Sequence, residues 1–209
     1  MTGRLVGDTD ANPGPRLAEI AEAACGVILP LWRTGLTIDR KIDDSPVTEA
    51  DRQAEALILA QLGRTFPGIP VVAEEAVSVS GAPSHIADRF FLVDALDGTK
   101  AFVRGDAHFT VNIALIENGA PVAGAVAAPA TGEVWFTGQR GAFKRQIGEP
   151  DGAPIRVRRG DPVDLLALTS HSLKPEGVEA LRARYGFSRH QPLDSSLKLC
   201  RIEIGRAHV

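Results

Sequence analysis

A chain of 209 residues with 44% hydrophobic residues, 23% charged residues and a net charge of −3 has an ordinary globular make-up. It is long enough to bury a substantial core in one large domain or two small ones. The balance excludes a basic surplus for a nucleic acid polymer, and no apolar run approaches membrane-spanning length.

The first thirty residues carry Asp8, Asp10, Glu19 and Glu22 and lack a basic start followed by an apolar core, so they do not read as a secretory signal. Cys25 and Cys200 are too few for a disulfide framework or a zinc site, which makes a reducing cytoplasm the expected location.

Residues 1–14, rich in Gly, Asp, Thr and Pro, are expected to fray. Over 16–34, apolar residues recur at Leu17, Ile20, Ala21, Ala24, Val27, Ile28, Leu31 and Trp32. Those are the intervals of one buried helix face, with Pro30 expected to kink or end the helix early. Cys25 falls among them as a small core residue. A strand over 36–42 and a polar loop over 43–46 follow.

Thr48-Glu49-Ala50-Asp51 then opens a second helix with apolar positions at Ala54, Leu57, Ile58 and Leu62. Thr48 with an acid three residues later has the form of a capping box, so Asp51 carries two readings, helix cap and catalytic carboxylate. Phe66-Pro67-Gly68 stops the helix. Residues 69–73 form a short apolar strand ending in Glu74-Glu75, which read either as solvated loop charges or as oxygen donors at a sheet edge. Residues 76–89 are a loop or a short helix.

The stretch 90–102, FFLVDALDGTKAF, organises the rest. Phe90 to Val93 suit a strand buried on both faces, stopping at Asp94, with Asp97 three residues on before Gly98 and Thr99. Two carboxylates this close could bridge a pair of hard divalent cations; the plainer reading is a tight Asp-Gly turn. Phe109, Val111, Ile113 and Leu115 alternate with polar or small residues, and the turns at Asn118-Gly119, 129–132 and 138–141 continue an antiparallel meander. The loop 148–154 is the expected boundary between a metal-binding half, 15–148, and a smaller α/β half, 149–209. The second half is expected to hold strands at 155–158 and 165–169 and helices near 176–185 and 195–205.

Ser45-Pro46-Val47-Thr48-(x)₂-Asp51, Glu74-Glu75 and Asp94-x-Leu96-Asp97-Gly98-Thr99, in that order, resemble the inositol monophosphatase-like superfamily of Mg²⁺-dependent, lithium-sensitive phosphatases. Asp97-Gly98-Thr99-Lys100-x-Phe102, the run from Phe109 to Ile116, and Ser195-Ser196-Leu197-Lys198 look most like its CysQ-type 3′(2′),5′-bisphosphate nucleotidases. The resemblance covers nearly everything from Leu17 onward. It implies a layered αβαβα sugar-phosphatase fold of the α/β class, with a largely antiparallel first half and an incomplete second half.

It further implies that Glu74, Asp94 and the backbone carbonyl of Leu96 hold one Mg²⁺. Asp94 would bridge to a second ion that Asp97 also binds. Thr99, oriented by Asp51, would activate the attacking water, and Gly98, Thr99, Ser170, His171, Ser196 and Lys198 match substrate-contacting positions. His171 reads equally as a polar residue packed at a strand end.

Three departures stand out: Ala95 replaces a proline, Asp194 replaces a glycine, and the family's Trp-Asp-x-Ala-Ala motif, source of a further aspartate, is not among the 209 residues. The expected reaction is hydrolysis of the 3′-phosphate of adenosine 3′,5′-bisphosphate to AMP. The alternatives are an inositol monophosphatase and an inactive remnant that binds metal or nucleotide without turnover. The expected partner is a small phosphorylated nucleotide, with a homodimer left open and neither nucleic acid polymer nor membrane involved.

Overall fold

The computed structural model describes residues 12–34, 38–40, 46–157 and 165–203. Helix α1 (Gly14–Thr34) turns Leu17, Ala18, Ala21, Ala24 and Ile28 into the core at 0% exposure. Pro30 lies inside α1 and does not end it. The turn beyond the proline is held by tertiary packing, because Leu31 and Trp32 pack against the core and the Trp32 ring meets Phe109 edge-on at 5.2 Å.

Strands β1 (Ile38–Arg40) and β2 (Pro46–Thr48) form a short antiparallel pair. Residues 36, 37 and 41–45, on which the rest of that expected strand and loop fell, lie outside the described residues. Helix α2 (Glu49–Thr65) follows, buries Ala54, Ile58 and Leu62, and ends at Phe66 as expected.

Strands β3 (Val71–Ala73), β4 (Arg89–Asp97), β5 (Thr110–Glu117), β6 (Ala120–Ala128), β7 (Glu133–Gly138), β8 (Gly141–Gln146) and β9 (Ala153–Ile155) build one seven-stranded sheet in sequential order. Every neighbouring pair is antiparallel except β3 beside β4. The β5–β6 turn has Asn118 at φ 51° and Gly119 at φ 77°, the doubly left-handed geometry that follows the twist of the strands it joins.

The strand expected at 155–158 is β9, shorter and earlier than its apolar residues suggested, paired with β8 through Ile155 and Ala142. One face of the sheet takes α1 and α2 in a single apolar cluster that includes Phe91, Val93, Phe102, Phe109, Val111 and Ile113. On the other face a smaller cluster joins Ala128, Trp135, Leu193, Leu197 and Cys200.

Two short helices line the sheet edge, α3 (Glu74–Ser80) and α4 (Thr99–Arg104). Beyond them, β10 (Leu166–Thr169) and β11 (Arg189–Pro192) pair in parallel around α5 (Pro175–Tyr185), and α6 (Leu197–Glu203) returns to the sheet. Strand β11 was not expected. Its Arg-His-Gln-Pro sequence has no apolar alternation, and it is extended because it pairs with β10 from Leu166↔Arg189 to Thr169↔Pro192. Mixed α/β architecture with one large mixed sheet is the observed class. Among the described residues no helix is long and apolar enough to cross a membrane.

Candidate active site

Because β3 and β4 run parallel, the residues at their C-terminal ends meet at one sheet edge. Glu74 follows β3 directly and Asp94 pairs with Asn112 on β5. The expected end of the strand at Asp94 is corrected: β4 continues to Asp97, which pairs with Thr110. Between them the register shifts, and Ala95 and Leu96 are taken up in a bulge at 2% and 3% exposure. Burying those two side chains favours continuing the strand over turning out. The Leu96 N–H donates to Asp94 Oδ1 at 3.2 Å, so a side chain holds the bulge at Ala95, the position that departs from the proline of the resemblance.

Glu74 and Glu75 are not loop charges; they open α3. The N–H groups of Glu75 and Ala76 donate to the two carboxylate oxygens of Glu55 at 2.9 and 3.0 Å. Glu55, only 6% exposed on α2, therefore ties the first turn of α3 and orients the segment that carries Glu74. Sequence reasoning missed it. The available signal was its place four residues after Asp51 on the helix face that also buries Ala54 and Ile58.

Asp51, 1% exposed, caps α2 and also reaches Thr99. Its Oδ2 accepts from the Thr48 N–H at 2.8 Å and from Thr48 Oγ1 at 2.5 Å, while Thr48 Oγ1 accepts from the Ala50 N–H at 3.2 Å, a complete capping box. Its other oxygen, Oδ1, stands 3.2 Å from Thr99 Oγ1, which is also 3.1 Å from the Leu96 carbonyl. One hydroxyl proton faces two acceptors. Burial pushes the Asp51 carboxyl above its ordinary range, opposed by the bonds from Thr48 and Thr99.

Gly98 caps α4 at φ +92°. A Cβ there would lie 2.7 Å from the His108 carbonyl oxygen and 3.1 Å from Ser195 Cβ, so backbone and space both demand glycine.

From the other end of the chain, Ser196 donates to Asp97 Oδ2 through its N–H at 2.6 Å and its hydroxyl at 3.0 Å. Asn112 Nδ2 reaches the same oxygen at 3.4 Å and Ser196 Oγ at 3.1 Å. Lys198 Nζ donates to the Ser195 carbonyl at 2.8 Å. A cavity of about 440 Å³ gathers Glu74, Asp97, Gly98, Thr99, Ser170, His171 and Lys198 with Lys100, Arg104 and Asp194. Asp51 stands behind Thr99 and does not line it, while Asp94 and Ser196 line an adjoining apolar cavity of about 820 Å³ together with Glu74.

Asp194 accepts from Arg104 Nη2 at 2.8 Å, from Ser170 Oγ at 3.2 Å and from the His171 N–H at 3.1 Å, with His171 Nδ1 also at 3.1 Å. Burial opposes these bonds, yet their sum holds Asp194 below the usual carboxylate range. The negative charge that Asp194 brings to the cavity is thus paired.

The Asp94 carboxyl is pushed well above the ordinary range, first by burial and then by the charges of Glu74 and Asp97. Among the described residues no three acids, imidazoles or thiols converge closely enough to cage an ion as they stand. The donors nevertheless fit a hard divalent cation by chemistry: Glu74, Asp94, Asp97 and the Leu96 carbonyl offer only oxygen, and positive charge among them would offset the burial and repulsion that raise the Asp94 carboxyl.

The sequence profile of the inositol monophosphatase family matches residues 16–209. The chain is 39% identical over 170 residues to the 3′(2′),5′-bisphosphate nucleotidase CysQ of Salmonella typhimurium, covering 81% of this chain and 67% of that protein. It is 39% identical over 154 residues to the histidinol-phosphatase of Mycobacterium tuberculosis, covering 72% of this chain and 56% of that one. Among solved structures, CysQ from Bacteroides thetaiotaomicron superposes with a TM-score of 0.72 at 29% identity, over 98% of this chain and 79% of that one.

Proposed function

The chain belongs to the inositol monophosphatase family, and from that membership we propose that it removes the 3′-phosphate of adenosine 3′,5′-bisphosphate, releasing AMP and phosphate in the cytoplasm. The observation that carries the reading is Thr99 Oγ1, set 3.2 Å from the buried Asp51 carboxylate at the floor of a cavity rimmed by Lys100 and Lys198. Similarity to the CysQ nucleotidase over 81% of this chain directs the choice of substrate.

Mg²⁺ would be held by Glu74, Asp94, Asp97 and the Leu96 carbonyl. When bound, it supplies positive charge to the phosphate oxygens and acidifies the attacking water. Thr99 Oγ1 takes the proton of that water as its own proton passes to Asp51 Oδ1. Lys198 and Lys100 offer ammonium groups to the phosphates of the substrate. Ser196 fixes the Asp97 carboxylate by two bonds, and Glu55 fixes the turn that carries Glu74.

Phosphate release from adenosine 3′,5′-bisphosphate, inositol 1-phosphate and histidinol phosphate, with Mg²⁺ present, tests the reading. The expected result is a kcat/KM at least tenfold higher for the bisphosphate. A higher value for either other ester would overturn the nucleotide assignment. Nucleotide binding with no release from any ester would favour the inactive reading instead.

A further inference from the structure

Asp194 is more than a neutralised intrusion. It joins three segments distant in sequence: α4 through Arg104, the 170–172 turn after β10, and the β11–α6 connection that carries it. Arg104 is itself held from the other side, its Nε donating to Asp106 at 2.9 Å. Ser170 Oγ and Ser172 Oγ lie 2.9 Å apart, so the hydroxyl that reaches Asp194 is part of a closed turn. His171 faces Asp194 twice, with its backbone N–H and with ring Nδ1, both at 3.1 Å. The His171 ring also packs against His108, the centroids 5.6 Å apart and tilted by 33°.

An ionised carboxylate can only accept hydrogen bonds, so the nitrogen facing it must carry a proton. That assigns the tautomer: in the neutral ring the proton sits on Nδ1, and Nε2 is left with a free lone pair. The Asp194 carboxyl is held below the usual range, so it remains an acceptor throughout the neutral region. His171 lines the 440 Å³ cavity beside Asp194, Arg104 and Lys198.

We propose that Asp194, braced by Arg104, is a positioning residue that locks the His171 ring with Nδ1 protonated, so that Nε2 accepts a hydrogen bond from a donor on the nucleoside of the substrate. The donor is an amine or a hydroxyl; a phosphate oxygen, an acceptor itself, is refused. The residue thereby sorts ligands by the group attached to the phosphate and not by the phosphate. The ligand half of this assignment rests on the nucleotide reading above.

The experiment is done on the 209-residue chain with ¹⁵N-labelled histidine, in Mg²⁺, for wild type, Asp194→Ala, Asp194→Asn and His171→Ala. Long-range ¹H–¹⁵N spectra distinguish a protonated ring nitrogen from one with a lone pair. The expected wild-type signature of His171 is a protonated Nδ1 and an unprotonated Nε2, giving way to mixed tautomers in Asp194→Ala. Titration with AMP and with inorganic phosphate then reads the consequence. AMP affinity should fall about tenfold in Asp194→Ala, the worth of one well-placed hydrogen bond, while phosphate affinity moves less than twofold. The double variant Asp194→Ala/His171→Ala should be no weaker than His171→Ala alone, since the two residues act as one. Asp194→Asn keeps an acceptor oxygen in the loop and should fall between wild type and alanine.

An unprotonated Nδ1 in wild type would overturn the proposal. So would equal losses of AMP and phosphate affinity in Asp194→Ala, or additive losses in the double variant. A wild type that binds AMP no better than phosphate would overturn the nucleotide reading, and with it the ligand half; an intact tautomer signature in the same sample tells that failure from a failure of the lock.

Discussion

Replacing Asp51 by asparagine separates the two tasks of one side chain. The carboxylate is 1% exposed and accepts three hydrogen bonds, two from Thr48 and one from Thr99. Asparagine has one acceptor oxygen and one amide donor. Its best orientation turns the oxygen to Thr48, which preserves the capping box, and the NH₂ to Thr99 Oγ1. The hydrogen bond to Thr99 then reverses: Oγ1 accepts, and its own proton is committed to the Leu96 carbonyl, already 3.1 Å away. Nothing remains to take a proton from Thr99.

Stability should change little. Losing the charged acceptor costs about 1 kcal/mol, since asparagine also caps well, and the variant sheds the burden of a charge that burial already disfavours. At ~2–4 °C per kcal/mol for a chain of this size, Tm should fall by only a few degrees. The kcat, by contrast, should drop by about 10²- to 10⁴-fold, the usual worth of a positioned proton acceptor. Steady-state phosphate release and thermal melting on the same samples give both numbers. A variant with kcat within twofold of wild type, or one whose loss of activity merely follows its loss of fold, would refute the proton path.

Glu55→Gln should lower Tm by several degrees, because one of two charge-assisted bonds to α3 is lost and the other weakened, about 1–3 kcal/mol in all. It should also weaken Mg²⁺ binding in a calorimetric titration; unchanged affinity would show that the α3 turn holds Glu74 without it. Burial, and behind it the charge of Glu22, pushes the Cys25 thiol up to about 12. At pH 8 its thiolate fraction in the folded chain is therefore only about 10⁻⁴, and iodoacetamide should modify Cys25 no faster than the chain unfolds, as read by peptide mass spectrometry. The raised thiol contributes stability that is full below pH 9, its unfolded value, and is lost at about 1.4 kcal/mol per unit as pH rises toward 12. Melting curves that are flat across that window would contradict the burial.

Spacing nominated the candidate carboxylates beside turn and cap readings, and the roles proposed for them came from the family resemblance. Asp51, Glu74, Asp94, Asp97 and Thr99 stand at strand and helix ends that apolar runs announce, and the structure brings Asp51 to Thr99 and sets Glu74 and Asp97 beside Asp94. What spacing could not supply was decided by contacts across the fold. Local rules end α1 at Pro30, but the packing of Trp32 on Phe109 carries it on. Local rules end β4 at Asp94, but Asp97 finds Thr110 and the strand bulges in place of turning. Arg104 carried no sequence signal of its own and Glu55 only its place on the buried face of α2, because the groups they hold, at 194 and at 75–76, lie 90 and 20 or 21 residues away. β11 is a strand only because β10 is its neighbour.

The sequential order of the large sheet bears on how the chain acquires its site. Each of its strands pairs with the one next along the chain, so its loops are short to close and it can zip up as residues 71–155 emerge from synthesis. The acids at its edge are in place at that moment. The far wall of the cavity comes later in the chain, since Ser196 reaches Asp97 across 99 residues and Asp194 reaches Arg104 across 90. Assembly therefore runs from charge to shape: the sheet edge that carries the acids precedes, in chain order, the turns that close over it. Variation in those turns can alter what the site admits while leaving the frame to fold as before.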